Sequence, residues 1–106
     1  MKRVKFADPL PRLVLEKKKD TTWRINDDKA LTAGDLLSLC HINGEEFGKA
    51  KIIWIKETSF GELTSEDKEG HEKFSSDEEM YKTYEKYYSI AVNQETKVKI
   101  VKFRLI

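Results

Sequence analysis

Leu36-Leu37-Ser38-Leu39-Cys40-His41-Ile42-Asn43-Gly44, answered by a second run from about Phe47 to Glu57 that contains Ile52-Ile53-Trp54-Ile55, is the stretch that decides the fold. Both runs are rich in β-formers. Asn-Gly between two apolar runs is a hairpin signal, because both residues tolerate the positive φ of a tight turn. Gly34-Asp35 marks the turn that precedes the first run, Leu36–Ile42, which reads as a buried strand. The returning run is apolar at successive positions and so has two apolar faces. It is expected to be a central strand covered on both sides.

Outward to the N-terminal side, Thr21 to Ile25 is β-branched and aromatic and reads as a short strand. Asn26-Asp27-Asp28 breaks it. Before it, Asp8-Pro9 opens a helix, since proline is tolerated in the first turn, and Pro11 fits the same turn. Leu10, Leu13 and Val14 then fall at i, i+3 and i+4 on one apolar face. Lys17, Lys18 and Lys19 close this helix, where cations suit the macrodipole.

Outward to the C-terminal side, residues 58–76 are polar and acidic and read as irregular, with a helical turn near Ser65–Glu69. Ser76 with Glu79 is a capping-box pattern. It predicts a helix through Tyr88 with Met80, Tyr84, Tyr87 and Tyr88 on the inner face. Lys97 to Leu105 is the last strand. Strong central β-runs with few crossover helices argue against a doubly wound sheet. The expected architecture is α+β: a small mixed β-barrel of about five strands with two or three short helices, in a single domain over residues 1–106.

The 106 residues are 39% hydrophobic and 37% charged, with a net charge of only +1. No global field draws the chain to nucleic acid, so local charge decides. That charge is segregated. Residues 1–24 carry eight basic side chains against three acidic ones, residues 57–80 carry nine acids against two lysines, and Lys97, Lys99, Lys102 and Arg104 return basic charge at the end. Pairing of the two ends would make one basic face. Cys40 is alone, so no internal disulfide forms, and its apolar run predicts a buried small hydrophobe. There is no membrane-length apolar segment and no signal peptide, so a cytoplasmic location is expected.

Metal chemistry is not expected. Cys40 and His41 are adjacent on a strand and point to opposite faces, so they cannot close one tetrahedral site. His71, the other histidine, reads as a solvated residue in an acidic loop. Neither a P-loop nor a dinucleotide fingerprint is present. The Lys19-Asp20-Thr21-Thr22-Trp23-Arg24 segment is different. Strand alternation puts Thr22 and Arg24 on one face, toward a cleft or solvent, and Trp23 and Ile25 on the other, toward the core. Arg24 can make a two-pronged contact to phosphate or carboxylate. It can equally be salt-bridged to an acid such as Glu69.

Lys19-x-x-Thr22-x-Arg24, then Gly34-Asp35 opening a strand, Leu63-Thr64, Glu69-Gly70, a Tyr-rich helix and a terminal Val98–Ile106 strand ending in Phe103-Arg104-Leu105-Ile106 form a familiar order. The chain resembles the ASCH domain family from about Leu10 to Ile106. The resemblance implies a PUA-like β-barrel and RNA binding through a cleft beside the Lys/Thr/Arg strand. One small branch of that family hydrolyses the acetyl amide of N4-acetylcytidine with a lysine, a threonine and a glutamate. Carried over, that set falls on Lys19, Thr22 and Glu69, with Glu72 as the alternative acid. Two departures stand out. Lys17 replaces a glycine usual before the lysine, and His71 replaces an aromatic or apolar residue after Glu-Gly.

The function expected first is an RNA- or nucleotide-binding domain using Lys19, Thr22, Arg24 and Glu69. The alternative is an amidohydrolase acting on an N4-acetylcytidine-type nucleoside through Lys19, Thr22 and Glu69. A third possibility is a protein-interaction module using the acidic 57–80 segment. The expected state is a monomer with no cofactor, no metal and no membrane partner.

Overall fold

The computed structural model describes residues 1–106. In chain order the elements are β1 (Lys2–Phe6), α1 (Leu10–Leu15), β2 (Thr21–Arg24), β3 (Leu36–His41), β4 (Glu46–Ser59), α2 (Ser65–Lys68), α3 (Asp77–Tyr88) and β5 (Lys97–Leu105). The strands form one sheet in the order β1-β3-β4-β5-β2. Only β1–β3 is parallel, and the other pairs are antiparallel. The result is a mixed, open half-barrel with three short helices.

The hairpin of β3 and β4 lies at its centre, with Gly44 at φ 94° in the turn. β4 is central, as its apolar run predicts, and past Ile53 it meets a core on each side, Trp54 on one and Ile55 on the other, but before that it is covered on one side only. Ala50 and Ile52 are buried, whereas Lys49, Lys51 and Ile53 are exposed. The continuous apolar run has another cause. The β4–β5 register shifts between Ile52 and Trp54, leaving Ile53 as the extra residue of a bulge. Removing one residue from the count lets Ile52 and Ile55, which have opposite parity, both pack on the same core.

Two cores use the two faces of β5. Val101 and Phe103 join Val4, Phe6, Val14, Leu37, Leu39 and Ile52 on one face. Val98 and Ile100 join Trp23, Ile25, Phe60, Met80 and Tyr84 on the other. Cys40 is fully buried. β1 has no counterpart in the sequence reading. Only Val4 and Phe6 of its five residues are apolar, and its pairing with β3 closes a loop of more than thirty residues.

The acidic stretch has more structure than its composition suggests. Thr64 and Asp67 form a reciprocal capping box at α2. At α3 the Ser76 hydroxyl accepts from the Glu79 amide, but the Glu79 carboxylate turns to Ser75 rather than back to Ser76. Met80 and Tyr84 are buried on α3. Tyr87, expected on the inner face, is 52% exposed. No helix is long and apolar enough to cross a membrane.

Candidate functional site

The site begins at Gly70. Its φ is +77°, and a Cβ there would lie 1.8 Å from Asp20 Oδ1. Only glycine permits both the backbone conformation and the approach. Through that approach the Gly70 carbonyl accepts the amides of Asp20 at 3.0 Å and Thr21 at 3.2 Å. The Thr21 hydroxyl donates to the Glu69 carbonyl at 2.9 Å. The loop therefore caps the free edge of β2 with its backbone, and the exposed side chain of Glu69 leaves the site.

Glu72, three residues further on, is what returns. Its Oε2 accepts from Lys19 Nζ at 2.6 Å. Lys19 is 2% exposed, and Nζ also donates to the Thr21 carbonyl at 2.7 Å. The acid opposite Lys19 is thus Glu72 rather than Glu69. Burial lowers the Lys19 pKa, and Glu72 only partly offsets it. Burial also works to raise Glu72, but the Lys19 charge, the neighbouring His71 and the hydrogen bond outweigh it, so the carboxyl titrates below its ordinary value.

His71 is not solvated but buried, with its ring stacked on Trp23 at 3.7 Å between centroids and 12° between planes. Nδ1 lies 2.8 Å from the Glu72 carbonyl and Nε2 lies 3.0 Å from the Tyr84 hydroxyl. A carbonyl only accepts, so Nδ1 carries the proton. The neutral ring then accepts the Tyr84 hydroxyl at Nε2. Burial first, and the Lys19 charge second, push the His71 pKa down to about 4. Burial raises the Tyr84 phenol well above its ordinary range. The link from the Glu72 carbonyl through His71 to Tyr84 is therefore neutral and fixes the tyrosine hydroxyl.

Between β2, the end of β1 and α3 lies a cleft of ≈ 270 Å³. Thr22, Arg24 and Glu72 are on its lining, with Phe6, Leu10, Ile42, Tyr84, Tyr87 and Tyr88 among the apolar and aromatic walls. Arg24 forms no ion pair with Glu69. Its Nε is the one buried side-chain nitrogen or oxygen of the protein without a hydrogen-bond partner. Lys19 does not line the cleft and reaches it only through Glu72. A larger concavity of ≈ 720 Å³ lies along Ser65–Met80 and holds Glu69, but it contains neither Thr22 nor Arg24.

The structure thus brings together Thr22, Arg24 and, behind Glu72, Lys19, and leaves Glu69 outside. The spacing Lys19-x-x-Thr22-x-Arg24 and strand parity were enough to locate the first three. Tyr84 and Tyr87 had a helical signal that reads first as core. Phe6 and Ile42 had none, since they arrive from β1 and from the turn after β3. No group of three or more His, Cys, Asp or Glu side chains is arranged to hold a metal.

The sequence matches no protein-family model and no curated protein. Its fold matches solved structures closely. A hypothetical protein, PH0355, is 25% identical with TM-score 0.75, and the match covers 100% of both chains. An ASCH domain from Lactobacillus crispatus is 11% identical with TM-score 0.68, covering 90% of this chain and 69% of that one. An ASCH protein from Zymomonas mobilis, solved as a point mutant, is 15% identical with TM-score 0.66, covering 96% and 67%. The five-stranded mixed sheet with its short helices is a small α+β architecture, and this chain has the fold of an ASCH domain.

Proposed function

We propose that the cleft between β2 and α3 binds RNA by taking in one unstacked nucleobase. The observation that carries this reading is the lining of the cleft: aromatic and apolar walls around Thr22, Arg24 and Glu72, with Arg24 Nε buried and lacking an acceptor. A base offers a flat π face to such walls and a hydrogen-bonding edge to the polar groups. The ≈ 270 Å³ volume suits a single base or nucleoside rather than a folded motif. Lys19 holds Glu72 ionised through Oε2, which leaves Oε1 to accept from an exocyclic amine. That favours cytosine, adenine or guanine over uracil. Titration with single-stranded RNA at low and raised salt tests the reading. Binding should weaken by about tenfold in Arg24→Ala, as expected for loss of a charge-assisted contact. No binding at low salt, or binding indifferent to Arg24→Ala and Glu72→Gln together, refutes it.

A second reading has one observation in its favour. Lys19 has a lowered pKa and sits 2.6 Å from Glu72, just before the strand that carries Thr22. A lysine of that kind can activate a threonine hydroxyl for attack on the acetyl amide of an N4-acetylcytidine-type nucleoside, with Glu72 relaying the proton to the leaving amine. Against it, Lys19 Nζ donates to the Thr21 carbonyl and to Glu72, not to the Thr22 hydroxyl. Release of cytidine from N4-acetylcytidine, lost in both Lys19→Ala and Thr22→Val, would establish hydrolysis. Absence of turnover at neutral and mildly alkaline pH leaves binding as the function.

A further inference from the structure

We infer that the base in the cleft is taken together with its phosphate, and that Arg24 and Lys97 form the phosphate subsite. The inference rests on the reading of the cleft as a base site. It starts from the position of Arg24, which lines two concavities at once. One is the aromatic cleft. The other is a polar groove of ≈ 460 Å³ at the end of the β2–β5 pair, where Asn26, Asp27, Glu57, Lys97 and Lys99 join it.

The sheet register builds the cationic strip. Arg24 is directly opposite Lys99 across β2 and β5. Lys97 lies two residues before Lys99 on the same face. Lys99 is already compensated: its Nζ is 2.9 Å from Asp27 Oδ2, and Asp27 also takes the amides of Lys29 and Leu31. Arg24 and Lys97 have no carboxylate partner. The groove holds two opposing charges: Asp27, which Lys99 takes up, and Glu57, which is 77% exposed at the side chain and 3.9 Å from Lys99.

An acceptor is what Arg24 lacks. The two terminal nitrogens of its guanidinium, which make no hydrogen bond within the protein, form a fork that fits two oxygens of one phosphate. Thr22 and Arg24 are alternate residues on one face of β2, about 7 Å apart, a span that a ribose can bridge. A nucleotide with its base beside Thr22 and Glu72 would place its phosphate at Arg24, with Lys97 next in line. The ligand class is therefore a nucleotide of a single strand whose backbone crosses the β2–β5 end, and not a free nucleoside.

Calorimetric titration of cytidine, cytidine 5′-monophosphate and cytidine 3′-monophosphate tests this in the wild type, Lys97→Gln and Glu57→Gln. The readout is the ratio of monophosphate to cytidine affinity within each protein. One of the two isomers should bind about tenfold or more tightly than cytidine, as charge-assisted phosphate contacts allow. That ratio should shrink in Lys97→Gln, grow in Glu57→Gln and contract as salt is raised. Cytidine binding with no gain for either monophosphate, or a gain of equal size in all three proteins, overturns the subsite while leaving the base site standing. Absence of binding by all three ligands overturns both.

Discussion

Lowering the pH from 7 to 5 should cost this protein about 2 kcal/mol of stability through one side chain, His71. The folded-state pKa is about 4, against 6.5 for the free group. Between those values the unfolded chain binds a proton that the native state refuses, so stability falls as pH falls through the window and levels off below it. The full window spans roughly 2.5 pH units, which at about 1.36 kcal/mol per unit amounts to about 3.4 kcal/mol, and the interval from pH 7 to 5 takes a little over half of it. Glu72, Asp67, Asp27, Asp35 and Glu46 also have lowered values. Their stabilisation is lost mainly below their ordinary range of 3.8 to 4.5, so they contribute little above pH 5. Urea denaturation at the two pH values, in the wild type and in His71→Phe, isolates the histidine. Phe retains an aromatic ring against Trp23 but cannot titrate. The variant will be less stable at pH 7, because Tyr84 loses its acceptor. Its stability should nonetheless change by less than about 1 kcal/mol between pH 7 and 5. Equal pH dependence in the two proteins, or a His71 ring pKa above 6 by NMR, would refute the argument. Protonation of the native ring, near pH 4, would also make Nε2 the donor and the Tyr84 hydroxyl its acceptor, so ligand binding in the cleft should hold from pH 7 to 5 and change only as pH falls toward 4.

Lys19→Met should destabilise the fold by about 3–5 kcal/mol, because it leaves Glu72 charged and partly buried. Lys19→Met with Glu72→Leu should recover much of that loss, and chemical denaturation of the single and double variants gives the coupling. Gly70→Ala should cost about 1–3 kcal/mol from the positive φ and the contact with Asp20, read as a lower thermal midpoint. Arg24→Met should raise stability by about 1 kcal/mol, since it removes a buried donor that has no acceptor, while weakening RNA binding. Loss of stability in that variant would mean that Arg24 has a structural partner in solution.

Local chemistry made much of the fold legible. Pro9 and Pro11 with Leu10, Leu13 and Val14 specify α1, Asn43-Gly44 specifies the hairpin, and Ser76 starts α3. β1 was not legible because its partner is distant and its own pattern is weak. The bulge at Ile53 was not legible because a run of successive apolar residues reads the same way for a doubly covered strand as for a strand that changes parity. In the site, strand alternation alone separates Thr22 and Arg24 from Trp23. The acid was a different matter. Glu69 and Glu72 are both within reach of Lys19 by spacing, and only the positive φ of Gly70 turns the first outward and the second inward. His71 likewise reads as solvated until Trp23 and Tyr84 close around it.

The sequence by itself determined which residues could form the site, because helix starts, tight turns and strand parity are set within a few residues of one another. The tertiary structure alone decided which of them meet. It brought Glu72 to Lys19, put Phe6 and Ile42 on the wall of the cleft, and left Arg24 with a buried nitrogen and no acceptor. Those outcomes depend on contacts between segments distant in the chain: the β1–β3 pairing places Phe6, and the loop conformation at Gly70, which no local rule encodes, precedes the return of Glu72.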